Sequence, residues 1–321
     1  MNIIGYDHEF NRLKSMIKKN NLPHAILFSG TEGVGKRQIA TELARIILCH
    51  KEGEENCDCP SCRAFEEKSH PDFHLLIPTS RGKASPMIRI EEVGELLQEL
   101  SRLPLLSQSR VALIDDADLM NPAAANRLLK TLEEPMGDIK FFLITKNRNK
   151  ILPTILSRTM PVTFPALNEE IIVKLLKERG ADEEAAREAA RLSFGSMRKA
   201  VDLVDNGGLK IIGECLNFLS TRLTYKIIFE MSEVMSKGDK DEIGEFLSAL
   251  MLILRDIMLF HEGVAVNFKY DENLIRKYDQ NLVFKLLSLT QEYEKRLPSN
   301  VNLKLFMEGY LLKFRKILGG I

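Results

Sequence analysis

Four short runs in the first half of the chain, AILFSG (25–30), FHLLIP (73–78), VALIDDA (111–117) and KFFLIT (140–145), are largely apolar and bounded by Gly, Pro or polar residues. Continuous apolar runs of this length read as strands buried on both faces, as in a parallel sheet. Between them the pattern takes a helical period. RQIATELARIIL places Ile39, Leu43, Ile46 and Ile47 on one side, and IRIEEVGELLQEL does the same with Ile90, Val93, Leu97 and Leu100. In NPAAANRLLKTLEEP, Asn121 can cap the helix, Pro122 suits its first position and Pro135 can stop it. Strand alternating with helix predicts an α/β domain, a parallel sheet with helices on both faces.

After PVTFPALNEE, from about residue 168 onward, only helical periodicity remains, interrupted at KERGAD, DNGG and RLPSN. The expected division is an α/β domain over 1–166, a small helical lid over 167–207 and an all-α C-terminal domain over 208–321. The stretches EFLSALMLILRDIMLFH and NLKLFMEGYLLKFRKIL read as core helices, with an apolar face for a partner as the alternative.

Composition narrows the class without naming a ligand. The 321 residues suffice for two or three domains with their own cores, and 45 basic residues balance 45 acidic ones, so no global charge points to nucleic acid or a membrane surface. The N-terminal stretch lacks the pattern of a signal peptide and no apolar run approaches a membrane span, so the expected location is cytoplasmic, with no membrane partner.

The first candidate chemistry is GTEGVGKR. A strand, then G-x-x-x-x-G-K, then a helix makes a phosphate cradle, because glycines let backbone N–H groups turn inward at a helix N-terminus. Gly30, Gly33, Gly35 and Lys36 fit that description for ATP or ADP. Arg37 stands where a hydroxyl would ligate Mg2+, and a guanidinium has no lone pair for a metal. Asp115 and Asp116 at the end of VALIDDAD can organise Mg2+ and a water, or simply pair with Arg or Lys. Where related ATPases have Glu, Asp116 is a methylene shorter. Nucleotide binding without turnover is therefore expected to be open to this loop, and hydrolysis is not.

Four cysteines, Cys49, Cys57, Cys59 and Cys62, fall within fourteen residues. In a reducing compartment the spacing suits a closed structural Zn2+ site, with His50 or His70 as substitute ligands and free thiols as the alternative. Cys215, alone in IIGECLNFL, reads as core.

NPAAANRLLKTLEEP followed by ILPTILSRT (151–159) resembles the clamp-loader subunits of bacterial DNA polymerase III, of the AAA+ class. HPDFHLL, GSMRKA (195–200) and NVNLKLFMEGYLL fit the same pattern, so the resemblance spans almost the whole chain. It implies an AAA+ domain, a lid and a helical collar. It further implies a hetero-pentameric ring with the gamma/tau ATPase and delta subunits, acting on the sliding clamp and primer-template DNA through the assembled complex. The family carries a zinc module after its first loop helix, though its second and third cysteines are spaced by two residues where this chain has one.

Within the family, Arg37 and Asp116 are similar to the non-hydrolysing kind of subunit, as is the chain's ending soon after its helical domain. The family's SRC motif supplies an arginine finger to the neighbouring ATP site. Here it reads SRT, keeping Ser157 and Arg158 with Thr159 in place of cysteine. GSMRKA implies a nucleotide-sensing role in cis for Arg198, and the other sensor falls near Thr145 or Asn147. The alternatives are an active ATPase subunit of the same loader and a zinc-dependent nucleic-acid-binding module. Only Lys51, Arg63 and Phe65 flank the cysteines to support the latter.

Overall fold

Five strands, β1 (Ala25–Gly30), β2 (Phe73–Leu76), β3 (Arg110–Ile114), β4 (Ile139–Thr145) and β5 (Met160–Phe164), form one sheet in the order β2-β3-β4-β1-β5. Every pairing is parallel, with Leu27 of β1 opposite Leu143 on one side and Pro161 on the other. The computed structural model describes residues 5–319 except 52, 55, 81–84, 135–136, 206–207, 239, 265–271 and 298–300. The expected helix stop at Pro135 and parts of the DNGG and RLPSN breaks lie outside the described residues.

The four anticipated strands are present, but β2 and β3 end sooner than the apolar runs, because the chain must turn at their carboxyl ends. After β3, Asp116 adopts a left-handed conformation (φ 45°) and a 3-10 turn follows at Ala117–Leu119. β5 was not anticipated. Its burial alternates, with Val162 and Phe164 inward and Pro161 at an outward position, and Pro161, which lacks an N–H, is tolerated because β5 is an edge strand.

Helices cover both faces. On one, α4 (Ile90–Leu100) and α5 (Pro122–Glu133) set Val93, Leu96, Leu128 and Leu132 against Leu27, Ala112, Ile114, Phe141 and Leu143. Strand residues alternate between faces, so Phe28 and Phe142 point the other way, with ring centroids 5.3 Å apart. There α2 (Lys36–Leu48) packs across β1, β3 and β4, and α1 (Asp7–Lys18) packs on α2. Asn121 caps α5 as expected, accepting from Ala124 N at 2.8 Å. Two short helices, α3 (Pro60–Glu66) and α6 (Pro153–Leu156), carry the cysteine knuckle and the approach to Arg158.

The chain divides into two compact units, Met1–Ile172 with Phe194–Arg198, and Val173–Ser193 with Lys199–Ile321. The segment 167–207 is thus shared between them, a different partition from the boundaries expected at 166 and 207. The remaining helices are α7 (Glu169–Glu178), α8 (Glu183–Leu192), α9 (Met197–Asp205), α10 (Gly208–Ser220), α11 (Tyr225–Met235), α12 (Lys240–His261), α13 (Glu272–Lys277), α14 (Gln280–Arg296) and α15 (Leu303–Ile317). In the second unit, α12 buries Leu250, Ile253, Leu254 and Ile257, and α15 buries Met307, Tyr310 and Leu311, in one core with Cys215. Among the described residues no helix is long and apolar enough to cross a membrane.

Candidate nucleotide loop, arginine edge and cysteine centre

The loop between β1 and α2 lies at the carboxyl end of the sheet, where the segments after β3 and β4 also emerge, the usual ligand-binding end of an open parallel sheet. Gly30 (φ 137°) passes so close to β5 that a Cβ would lie 1.9 Å from the Phe164 carbonyl oxygen. At Gly33 (φ 76°) a Cβ would meet Ser196 Oγ at 2.2 Å and Arg198 Cβ at 2.8 Å. Arg198 N donates to Gly33 O at 3.0 Å, so the backbone at Arg198 braces the loop while its side chain remains exposed. Gly35, also left-handed, precedes the first turn of α2.

Lys36 is buried, and its Nζ donates to Gly30 O at 2.8 Å and Thr31 O at 2.6 Å. Burial lowers its pKa, against the raising effect of Glu32, Asp115, Asp116 and Asp118. Gly30 O and Thr31 O, its two hydrogen-bond partners, are carbonyls of the loop itself. Arg37 reaches Asp115, with Nη1 3.5 Å from Oδ2. The side chain in the hydroxyl's place therefore pairs with the first acid of DDAD from within the chain. Burial, and then the neighbouring Asp115 carboxylate, raise the pKa of Asp116.

Two features escaped the sequence reading. Asp118, the third acid of DDAD, is buried and accepts from Thr145 Oγ1 at 2.7 Å. Its even spacing after Asp116 was the available signal. Of the two sensor candidates, Thr145 is buried and joined to the acidic turn, whereas Asn147 donates its backbone N–H to Thr145 Oγ1 at 3.0 Å. The exposed Lys146 pairs with Glu32 of the loop at 3.1 Å.

Arg158 follows α6. The Thr159 hydroxyl donates to Ile155 O at 3.1 Å, so threonine fills the buried cysteine position with its polar atom satisfied. Arg158 Nη1 donates to Thr154 O at 3.0 Å and to Ser157 Oγ at 3.2 Å, and Nη2 lies 2.6 Å from Glu133 Oε1 at the end of α5. Its side chain is 35% exposed.

The four cysteines Cys49, Cys57, Cys59 and Cys62 converge. Their sulfurs all lie within 4.8 Å of one another, and each residue is buried. None is in a disulfide. Pro60 starts α3 immediately after Cys59, so the knuckle is a helix N-terminus, with Cys62 N donating to Cys59 Sγ at 3.5 Å. Arg45 Nη1 donates to Cys62 Sγ at 3.5 Å and Lys51 N to Cys49 Sγ at 3.3 Å. Four buried sulfurs supported by N–H donors fit the thiolate cage of a metal ion, because those donors offset the charge that deprotonated ligands carry.

Neither histidine is needed as a ligand. His50 Nε2 bonds Leu106 O at 2.8 Å. His70 lies between Ser61 Oγ at 2.9 Å and the Asp72 backbone N–H at 3.1 Å. Asp72, buried before β2, accepts from the N–H groups of Leu105, Leu106 and Ser107 at 2.7 to 2.8 Å. Burial pushes its carboxyl up, but these three donors hold it below the usual range.

Comparison with known proteins adds a consistent set of likenesses. The family model described as DNA polymerase III, delta subunit, matches residues 5–168. The DNA polymerase III subunit delta' of Bacillus subtilis is 31% identical, over 95% of this chain and 94% of its own length. The Escherichia coli DNA polymerase III subunit tau is 34% identical, but over only 63% of this chain and 32% of its own length. Among solved structures, a DNA polymerase III gamma subunit-related protein from Thermotoga maritima superposes with TM-score 0.51 over 96% of this chain and 99% of that one, at 20% identity, a likeness of fold.

Proposed function

From the premise that the chain belongs to the delta-prime family of DNA polymerase III clamp-loader subunits, we propose that it is a non-hydrolysing member of the loader ring that lends Arg158 to a neighbouring ATP site. The observation that carries the non-hydrolysing part is the ion pair between Arg37 and Asp115. A catalytic phosphate loop needs a hydroxyl and a carboxylate facing one Mg2+. Here a cation of the chain itself pairs with the carboxylate, and Asp116 is a methylene shorter than the Glu of related ATPases.

The reading of Arg158 rests on its place after ILPTIL and on its exposure. A fixed positive charge at the edge of one subunit can neutralise charge developing on a phosphoryl group held by the next. The partners are the gamma/tau ATPase and delta subunits, with the sliding clamp and primer-template DNA engaged by the assembled complex, in the cytoplasm. The 208–321 helices serve as the collar that holds the ring. The cysteine centre takes Zn2+, whose four protein ligands leave no open position, so the ion staples the segment between α2 and β2 and supplies no catalysis.

The test is hydrolysis by the purified chain alone and then with the ATPase subunit. The expected result is no Mg2+-dependent turnover by the single chain and stimulation when the ring assembles. Brisk hydrolysis by the lone chain that vanishes with Lys36→Ala would select the active-ATPase alternative.

A further inference from the structure

We propose that Glu133 is a positioning residue that latches the Arg158 guanidinium against its own subunit until a phosphate group displaces it; this rests on the arginine-finger reading above. Three observations carry it. Glu133 Oε1 lies 2.6 Å from Nη2 of Arg158, a close ion pair. The other terminal nitrogen is already committed, since Nη1 donates to Thr154 O at 3.0 Å and Ser157 Oγ at 3.2 Å. The Glu133 side chain is 48% exposed, so when it lets go its charge returns to water.

A guanidinium must offer N–H donors to phosphoryl oxygens to stabilise the transition state, and Nη2 is the donor that Glu133 holds. A polyphosphate carries several negative charges against the one of a carboxylate, so it can replace Glu133 at Nη2. The bonds of Nη1 to α6 persist through that exchange, so the finger changes partner without losing its anchor. Release leaves no buried unpaired charge, which is what makes the contact reversible. The latch thus sets a threshold: the finger engages once a neighbouring site presents a phosphate in the correct place.

The experiment uses the loader reconstituted with its ATPase and delta subunits, without clamp or DNA. Glu133→Gln should raise kcat for ATP about two- to fivefold, the range an exposed ion pair supports, with KM unchanged. Glu133→Ala should do the same, and Glu133→Asp should fall between them and the parent. In an Arg158→Ala background Glu133→Gln should change nothing, a result that a merely structural role for Glu133 would not give. Thermal unfolding of each variant checks that the fold is kept. If Arg158→Ala lowers turnover while both Glu133→Gln and Glu133→Ala leave it equal or lower, the latch is wrong and the finger stands. A rise that survives in the Arg158→Ala background also overturns the latch. Unchanged turnover in Arg158→Ala itself overturns the finger reading beneath it.

Discussion

Two arginines of the first unit each meet a carboxylate, and the difference between the two pairs separates the loop from the subunit edge. Arg37 pairs with Asp115, whose side chain is only 18% exposed and sits at the carboxyl end of β3. Arg158 pairs with Glu133, 48% exposed at the end of a helix. Parting the first pair returns Arg37, itself 51% exposed, to water but leaves a poorly hydrated carboxylate behind. A cation lodged on an exposed acid is exchanged at little cost. On the function proposed above, the first pair would close its site to a metal ion and the second would leave Arg158 exchangeable by an anion.

The comparison is broken most severely at the exposed pair. Arg158→Ala should lower ATP turnover of the reconstituted loader on the order of a thousandfold while assembly, followed by gel filtration, is kept. Unchanged turnover would make Arg158 a surface ion pair and nothing more.

Stripping the cysteine centre with a chelator, or replacing Cys62 by Ser, should lower the first unit's unfolding midpoint by roughly 5 °C or more, because a metal bound there would contribute folding free energy. Ring turnover should change far less than in Arg158→Ala, which would separate the staple from the finger. An unaltered midpoint, with no zinc released into a colorimetric assay, would return the four cysteines to free thiols.

A third change sharpens the contrast by leaving both arginines alone. Asp72→Asn should cost about 1–3 kcal/mol in denaturant unfolding, since the carboxylate accepts three backbone N–H groups. The pH dependence has a definite sign. The carboxyl is held below its ordinary value when folded, so its contribution is present above about pH 4 and is lost as pH falls through the depressed folded value. The acid limb of the stability profile should accordingly flatten in Asp72→Asn.

The smallest effect is expected at the sheltered pair. Arg37→Thr restores a metal ligand and frees Asp115, so Mg2+ should tighten nucleotide binding by on the order of tenfold in equilibrium titration. No hydrolysis should appear while Asp116 remains a methylene short. Robust turnover from this one substitution would contradict the role given to the acidic turn.

Much of this was legible in the chain itself. The first four strands, the glycine loop, the Asn121 cap and the Cys215 core position follow from local patterns, and local patterns determine local structure. β5 was hidden because Pro161 breaks the apolar run, and only its place at the sheet edge makes proline acceptable there. Beyond its spacing after Asp116, nothing local in VALIDDAD sets Asp118 apart, and it is Thr145, from the neighbouring strand, that gives this acid a hydrogen-bond partner. Asp72 gave no hint of the three amides it gathers more than thirty residues later.

Taken alone, the sequence determined which functional groups the chain possesses and which it lacks: no hydroxyl after Lys36, an arginine after ILPTIL, four thiols in one short stretch. Those are properties of side chains and survive any fold. The tertiary structure decided whom each group meets, placing Asp115 before Arg37 and Glu133 before Arg158. Such partners lie far apart along the chain, and strand order and helix packing, which no local pattern encodes, set the distance and exposure on which the strength of an ion pair depends.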